Sequence, residues 1–271
     1  MTRERVTITI KPELLQEIDR IVDGITIRSR SQAIEYLLNR LLADSGIKNA
    51  LVLCGGRRKD ILLGKQIRFL AELNGKSVLE RVLDSIHEFK VNNFFVHVST
   101  FGERIIEELN EKNFPFHIEF VLEKKALGTI DPLLSTKHNF KETFLVAYGD
   151  TIASINLSDM LDFHRKNNSI ATIALTTVSN PRRYGVVEMQ GNKIVSFKEK
   201  PKNAVKSFLI SSGYFLFEPE IFKHVSREMK NIESNLFPKL AEKGLLYGYN
   251  YQGKYLNIHT QADLEKAKII V

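Results

Sequence analysis

The chain has 271 residues, of which 43% are hydrophobic and 26% are charged. These values are ordinary for a soluble globular protein, and the length predicts about two domains. The formal charge of +7 favours anionic partners. The single cysteine excludes an intramolecular disulfide and a thiolate zinc cluster. The absence of a secretory signal and of an apolar run of about 20 residues predicts a cytoplasmic protein with no membrane contact.

Residues 5–10 alternate polar and apolar side chains without a break. This period predicts a half-buried strand. An unpaired terminal strand is an aggregation hazard, so we expect a second copy to pair with it in a homodimer or higher homo-oligomer. Such a two-stranded ribbon fits the major groove of double-stranded DNA. Its outward side chains would be Arg5, Thr7 and Thr9.

Two amphipathic helices are predicted next. Apolar residues recur at helical spacing from Leu14 to Val22, and Gly24 ends this pattern. Ser29 is a predicted N-cap for a second helix with its apolar face between Ala33 and Leu41. Residues 3–43 therefore resemble a ribbon-helix-helix DNA-binding domain of the CopG/Arc/MetJ kind, because of the strand 5–10 and the Ser-Arg-Ser-Gln-Ala-Ile segment 29–34.

The resemblance implies two kinds of DNA contact. The outward strand residues Arg5, Thr7 and Thr9 would read base edges. The start of the second helix would hold a DNA phosphate. The residues implied there are Arg28, Ser29, Arg30 and Ser31. A ribbon-helix-helix used only for dimerisation is the alternative interpretation.

A second domain is predicted from residue 47 to residue 271, after a break at residues 44–46. Its first half alternates strands and helices in βαβα order, which predicts a mostly parallel sheet covered on both faces. Ligands bind such sheets at the carboxyl ends of the strands, where Gly55-Gly56 and Gly149-Asp150 lie. The predicted strands are 50–54, 94–98, 118–122 and 143–148, and the predicted helices are 77–89, 103–110 and 132–138.

The second half of this domain has a different pattern, in which strands predominate. Gly191-Asn192 predicts a hairpin between strands 186–189 and 193–197. Further strands are predicted at 212–217 and 253–258, and Thr260 is a predicted cap for the last helix.

From residue 48 to the end, the chain resembles the sugar-1-phosphate nucleotidyltransferases. That family has a Rossmann-like mixed sheet. The predicted fold class is therefore α/β, with an N-terminal ribbon-helix-helix (1–46) followed by a Rossmann-like mixed-sheet nucleotidyltransferase domain (47–271). The matching stretches are Leu53-Cys54-Gly55-Gly56, Leu127-Gly128-Thr129, Tyr148-Gly149-Asp150, Tyr184-Gly185-Val186-Val187, Glu199-Lys200-Pro201 and 253–264.

The resemblance implies three groups of site residues. Nucleotide binding would fall to Leu53, Gly55, Gly56, Arg57, Arg58, Gly128 and Thr129. Sugar-phosphate binding would fall to Gly185, Glu199 and Lys200. Asp150 and a weakened Asn257 would hold Mg²⁺, a possible cofactor. The alternatives are a turn cap for Asp150, a solvated charge cluster for Glu199 and Lys200, and packing instead of nucleophilic chemistry for Cys54.

The chain departs from the family pattern at positions that the resemblance assigns to phosphate, nucleotide and metal binding. Arg57-Arg58-Lys59 replaces a glycine step in the loop, and Arg68 replaces a lysine. Ile130-Asp131 replaces two small residues, and Asn257 replaces a metal-binding aspartate. These changes indicate weakened or lost turnover.

Three functions remain open from the sequence. The favoured one is a DNA-binding regulator whose large domain binds a nucleotide, sugar phosphate or nucleotide sugar without turnover. The second is an active sugar-1-phosphate nucleotidyltransferase that also binds DNA. The third is a large domain that only oligomerises.

Overall fold

The computed structural model describes residues 6–24, 27–42, 46–99, 102–123 and 125–270. Contacts within the chain divide it into two compact units, residues 1–44 and 45–271. The smaller unit contains helices α1 (Pro12–Ile21) and α2 (Arg30–Leu42). The predicted cap is present, because the Ser29 hydroxyl accepts a hydrogen bond from the Gln32 amide at 3.2 Å.

The predicted N-terminal strand is not formed within a single chain. Residues 6–10 belong to no helix or strand, and Arg5 lies outside the described residues. Val6 and Ile8 are 76% and 54% exposed. The physical reason is that a strand needs hydrogen-bond partners on a neighbour, and the described part of this chain offers residues 6–10 none.

The first half of the larger unit follows the predicted alternation of strands and helices. Its elements are β1 (Asn49–Cys54), α3 (Arg58–Ile61), β2 (Leu62–Leu63), β3 (Gln66–Ile67), β4 (Glu72–Leu73), β5 (Lys76–Ser77), α4 (Val78–His87), β6 (Asn93–Ser99), α5 (Glu103–Asn110), β7 (His117–Glu123), α6 (Ile130–Ser135) and β8 (Phe144–Tyr148). Strand β1 pairs in parallel with β6 and β8, and β6 pairs in parallel with β7. The carboxyl ends of these four strands therefore meet at one edge.

The second half supplies the rest of the sheet. Its elements are β9 (Thr151–Ala153), α7 (Leu157–Lys166), β10 (Ala171–Thr177), β11 (Gly185–Gln190), β12 (Lys193–Glu199), β13 (Leu209–Phe217), α8 (Phe237–Glu242), β14 (Leu246–Asn250), β15 (Tyr255–Asn257) and α9 (Gln261–Ile270). A π-helical turn (Ile232–Leu236) directly precedes α8.

The main sheet has nine strands in the order β10-β14-β12-β11-β13-β8-β1-β6-β7. Strand β13 is antiparallel to β8 and joins the two halves, and the β11–β12 hairpin is antiparallel as predicted. The parallel arrangement predicted from the first half is present in β1, β6, β7 and β8, whereas β11, β12 and β13 add antiparallel pairs. The sheet is mixed, as the family resemblance implied.

Strand β1 shows how the core holds the sheet. Val52 and Cys54 point into one apolar cluster, and Leu51 and Leu53 point into another on the opposite face. Cys54 is fully buried, in agreement with a packing role, and this burial raises the pKa of its thiol. Because β1 is packed on both faces, the position of the Gly55-Gly56 loop that follows it is fixed. Across the described residues, no helix combines the length and the apolarity that a membrane crossing requires.

Candidate functional site

Two cavities of about 350 Å³ each open at the carboxyl ends of the parallel strands. The first, which we name the glycine-loop pocket, lies beyond β1. It is lined by Leu53, Gly55, Gly56, Arg57, Asp60, Arg68, His97, Glu123, Ala126, Leu127, Gly128, Thr129, Tyr148, Lys230 and Asn231.

The second cavity, which we name the acidic pocket, lies between β8 and the second half of the unit. It is lined by Arg68, Thr129, Tyr148, Asp150, Arg183, Tyr184, Gly185, Glu199, Lys200, Ser211, Gly213, Asn231, Glu233, Ser234, Tyr255, Asn257 and His259. The two pockets share four wall residues, namely Arg68, Thr129, Tyr148 and Asn231. They are therefore adjoining parts of one cleft.

The side chain of Arg68 lies where the two pockets meet. It follows β3 in a short 3₁₀ turn and is only 11% exposed. Its guanidinium is 2.8 Å from Oδ2 of Asp150 and donates to the main-chain oxygen of Asp60 at 2.6 Å. It also lies 2.9 Å from Nδ1 of His259. Arg68 is therefore a buried cation whose position at the centre of the cleft is fixed by three neighbours.

Asp150 and Asn257, the predicted metal ligands, line the same pocket. Asp150 is 1% exposed and follows β8, and Asn257 ends β15, which pairs with β9 at Thr151. The residues present do not fit a divalent ion well. The Asp150 carboxylate already faces the Arg68 guanidinium, and the second position supplies an amide instead of a carboxylate. Among the residues that the structure describes, no three His, Cys, Asp or Glu side chains are grouped to hold a metal.

Two carboxyl groups in the acidic pocket, Glu199 and Glu233, have raised pKa values. Burial, reinforced by the nearby charge of Glu233, raises the pKa of Glu199 to about 7. Burial also raises the pKa of Glu233, although its carboxylate accepts a hydrogen bond from the Tyr148 hydroxyl. A carboxyl group with a pKa of about 7, such as Glu199, both donates and accepts hydrogen bonds near neutral pH, which suits the hydroxyl groups of a sugar.

Strands β11 and β12 position the Glu199 and Lys200 region. Gly185 pairs with Glu199 in the hairpin, and a Cβ on Gly185 would lie 2.3 Å from the Phe197 ring. Lys200 has a φ of 43° and its ammonium group is 3.7 Å from Glu199. All three predicted sugar-phosphate residues, Gly185, Glu199 and Lys200, therefore line the acidic pocket.

A buried histidine and carboxylate close one end of the glycine-loop pocket. His97 on β6 and Glu123 on β7 are 3.2 Å apart and have side chains only 5% and 2% exposed. The other Glu123 oxygen accepts from the Leu127 amide at 2.7 Å. A Cβ on Gly55 would lie 1.9 Å from the His97 ring, so the glycine is needed for this close approach.

The predicted nucleotide-binding residues divide into two groups. Leu53, Gly55, Gly56, Arg57, Gly128 and Thr129 line the glycine-loop pocket, whereas Arg58 does not. Arg57 is ion-paired with Asp60 at 2.5 Å, and this hydrogen bond lowers the pKa of Asp60. Gly128 has a φ of +107°, and a Cβ there would lie 2.3 Å from a main-chain oxygen.

The predicted DNA-contacting residues that are described lie on the surface of the smaller unit. Thr7, Thr9, Arg28, Ser29, Arg30 and Ser31 are exposed. The Arg30 guanidinium is bound by both carboxylate oxygens of Asp19, at 2.6 and 2.8 Å. A DNA phosphate at α2 would have to share Arg30 with this carboxylate.

Sequence reasoning missed several cleft residues, among them His97, Glu123, Tyr148 and Glu233, and it identified Arg68 only as the replacement of a family lysine. His97 and Glu123 both lie near the carboxyl ends of strands, which is a usable signal. Tyr148 directly precedes the Gly149-Asp150 pair. Glu233 had no signal, because it lies in a π-helical turn with no motif around it.

Comparison with known proteins identifies the family. The sequence profile described as nucleotidyl transferase matches residues 34–255. The chain belongs to this family. It is 30% identical over 224 residues to the mannose-1-phosphate guanylyltransferase catalytic subunit beta of Danio rerio, covering 79% of this chain and 62% of that protein. It is 31% identical over 219 residues to the bifunctional protein GlmU of Methanococcus maripaludis, covering 78% and 51%.

The solved structures confirm the mixed-sheet nucleotidyltransferase fold. HddC from Yersinia pseudotuberculosis superposes with a TM-score of 0.72 at 20% identity, covering 83% of this chain and 99% of that one. This chain spans 55% to 62% of the length of the guanylyltransferase relatives. The family match begins at residue 34, and no comparison supports the predicted ribbon-helix-helix.

Proposed function

We propose that the larger unit binds a nucleoside triphosphate in the glycine-loop pocket and a sugar 1-phosphate in the acidic pocket and joins them into a nucleotide sugar. The observation that carries this proposal is the junction of the two pockets at Arg68. Both substrates carry phosphate groups, and the buried guanidinium lies where those groups would meet. A guanidinium is well suited to hold phosphate oxygens.

The reaction requires positioning and charge neutralisation more than covalent chemistry. A phosphate oxygen of the sugar 1-phosphate forms a bond to the α-phosphorus of the triphosphate. The bond between that phosphorus and the oxygen bridging to the β-phosphate breaks, and pyrophosphate leaves with the electron pair. Arg68 would stabilise the negative charge on the transferred group.

The acidic pocket would select the sugar. Glu199, Glu233 and Tyr148 offer hydroxyl and carboxyl groups on one wall, and Lys200 offers a cation for the sugar phosphate. The relatives named mannose-1-phosphate guanylyltransferase make GTP and mannose 1-phosphate the first pair to test.

The test is release of pyrophosphate from GTP and mannose 1-phosphate, followed by the other triphosphates and hexose 1-phosphates. The variant Glu199→Gln should raise the KM for the sugar phosphate by about tenfold, the loss expected for a hydrogen bond to a charged group. Its KM for the triphosphate should change less. Glu188→Gln, on β11 outside both pockets, is the matched control.

An absence of pyrophosphate with every pair would contradict the transferase proposal. If the same ligands still raised the melting temperature, the larger unit would bind them without turnover, as a ligand sensor does.

The smaller unit favours a second function, binding of double-stranded DNA by a homodimer. Its supporting observation is that Val6 and Ile8 are exposed on a segment that pairs with no strand in the described part of the chain, with Thr7 and Thr9 exposed alongside. Pairing two copies of this segment would bury the apolar side chains and present the threonines.

Selection of binding sites from random duplex DNA by the full-length chain tests this second function. Thr7→Ala should weaken binding to the selected site by about tenfold, the loss of one base contact. Light scattering should show an intact dimer, and Gln16→Ala on α1 should bind as the wild type does. A monomer at micromolar concentration, or no enriched sequence, would refute the assignment.

A further inference from the structure

The centre of the cleft contains one buried carboxylate and one buried guanidinium. Asp150 is 1% exposed and Arg68 is 11% exposed, with 2.8 Å between the nearest nitrogen and oxygen atoms. The hydroxyl of Thr151 donates to the other Asp150 oxygen at 3.2 Å. The formal charges of this pair cancel, so the site does not present the excess of negative charge that a hard divalent cation requires.

The second predicted metal ligand, Asn257, carries no charge. Asn257 lies beside Asp150 in the acidic pocket, since the Ile258 amide donates to the Asp150 main-chain oxygen at 2.9 Å. The Asn257 amide nitrogen donates to the Thr151 hydroxyl at 3.1 Å. The amide nitrogen is therefore held by the neighbouring strand, whereas the amide oxygen is buried without a hydrogen-bond partner among the described residues and adds no formal negative charge.

The position of Arg68 is fixed by contacts on several sides. Besides Asp150, the guanidinium contacts the main-chain oxygen of Asp60 and the His259 ring, and it lies 4.9 Å from the centre of the Phe69 ring. A divalent ion at Asp150 would have to displace this cation or sit against it. Displacement would break all of these contacts, and coexistence would place like charges together in a buried site.

We propose that Arg68 is a built-in replacement for a divalent metal ion at Asp150, so that this cleft binds the phosphates of its ligand without a metal. The statement about the phosphates rests on the function proposed above, whereas the statement about the metal does not. A guanidinium carries five N–H donors, and its contacts with Asp60, Asp150 and His259 occupy three at most. Nε is buried without a hydrogen-bond partner among the described residues, so the second N–H of Nη2 is the donor of Arg68 that supplies a phosphate contact.

Mn²⁺ alone is the probe for the metal arm, and its free concentration is followed by electron paramagnetic resonance. Wild-type protein should show no Mn²⁺ site. Asn257→Asp should change this little, because the guanidinium remains. The double variant Arg68→Met with Asn257→Asp should gain one site, with affinity increased by about tenfold or more as the ligand charge rises. Circular dichroism establishes that each variant is folded.

One equivalent of Mn²⁺ bound tightly by the wild type would overturn the proposal. A folded double variant with no gain would overturn it as well. The wild-type measurement needs no substitution, so the proposal can be refuted even if the double variant does not fold.

The ligand arm uses GDP-mannose and calorimetry with the wild-type chain, in excess EDTA and then in excess Mg²⁺. Equal affinity within about twofold supports phosphate binding by Arg68 alone, and binding that disappears in EDTA refutes it. If GDP-mannose binds under neither condition, metal-free phosphate binding and the proposed function both fail for this ligand. The Mn²⁺ experiment is independent of the nucleotide sugar and still tests whether Arg68 excludes a metal.

Discussion

Replacing Glu199 with glutamine should remove a pH-dependent loss of stability. The pKa of this carboxyl rises from 4.5 to about 7 in the folded protein because of burial and of the nearby Glu233. The folded state therefore holds the proton more tightly than the unfolded state. The free energy of unfolding should fall as the pH rises from 4.5 through 7, and the loss is complete above 7. At about 1.36 kcal/mol per pH unit, this interval corresponds to about 3 kcal/mol.

Urea unfolding followed by far-ultraviolet circular dichroism at pH 4.5 and pH 8 measures this loss. The wild type should lose about 3 kcal/mol more than Glu199→Gln between these two values. Glu188→Gln, a change at a carboxylate that is 43% exposed, should follow the wild type. Parallel curves for the wild type and Glu199→Gln would refute the placement of Glu199 in a desolvated acidic pocket.

Other predictions concern close contacts and a helix cap. Gly55→Ala places a Cβ against the His97 ring and should destabilise the protein by about 1–3 kcal/mol; adding His97→Ala should restore part of the melting temperature, and no restoration would contradict the contact. Gly128→Ala, at a φ of +107° and 2.3 Å from a main-chain oxygen, should lower both stability and nucleotide affinity, and an unchanged melting temperature would count against it. Ser77→Ala removes half of the capping box with Glu80 and should lower the unfolding free energy by about 1 kcal/mol in a urea titration. Ser85→Ala, a serine inside α4, is the control. An equal loss of unfolding free energy in both variants would contradict the cap.

Local signals predicted the parts of the cleft that lie next to strand ends. Gly55-Gly56 and Gly149-Asp150 follow buried strands that are paired in parallel. Because both strands end at the same edge of the sheet, the loops that follow them lie side by side. Glu199 was found through its motif, and the β11–β12 hairpin explains its position. These features depend on residues that are close in sequence.

Features that depend on distant segments were not predicted. Glu233 reaches the acidic pocket from a turn that follows β13, and only tertiary packing brings it to Tyr148. The family resemblance implied a mixed sheet, but no local pattern encodes that β13 and β8 become neighbours. The segment 6–10 alternates like a strand but lacks a partner within the described chain, so its periodicity alone did not produce a strand.

Strand β7 is an end strand of the nine-stranded sheet, and it is also the strand that carries Glu123. An outermost strand has a neighbour on one side only, so its amides open to water more readily than those of the inner strands. In deuterium oxide, amide protons of β7 should therefore exchange before those of β1, which has partners on both sides. A ligand held at Glu123 would slow that exchange, and mass spectrometry of the corresponding peptide would report occupancy of this end of the cleft without knowledge of the ligand's turnover.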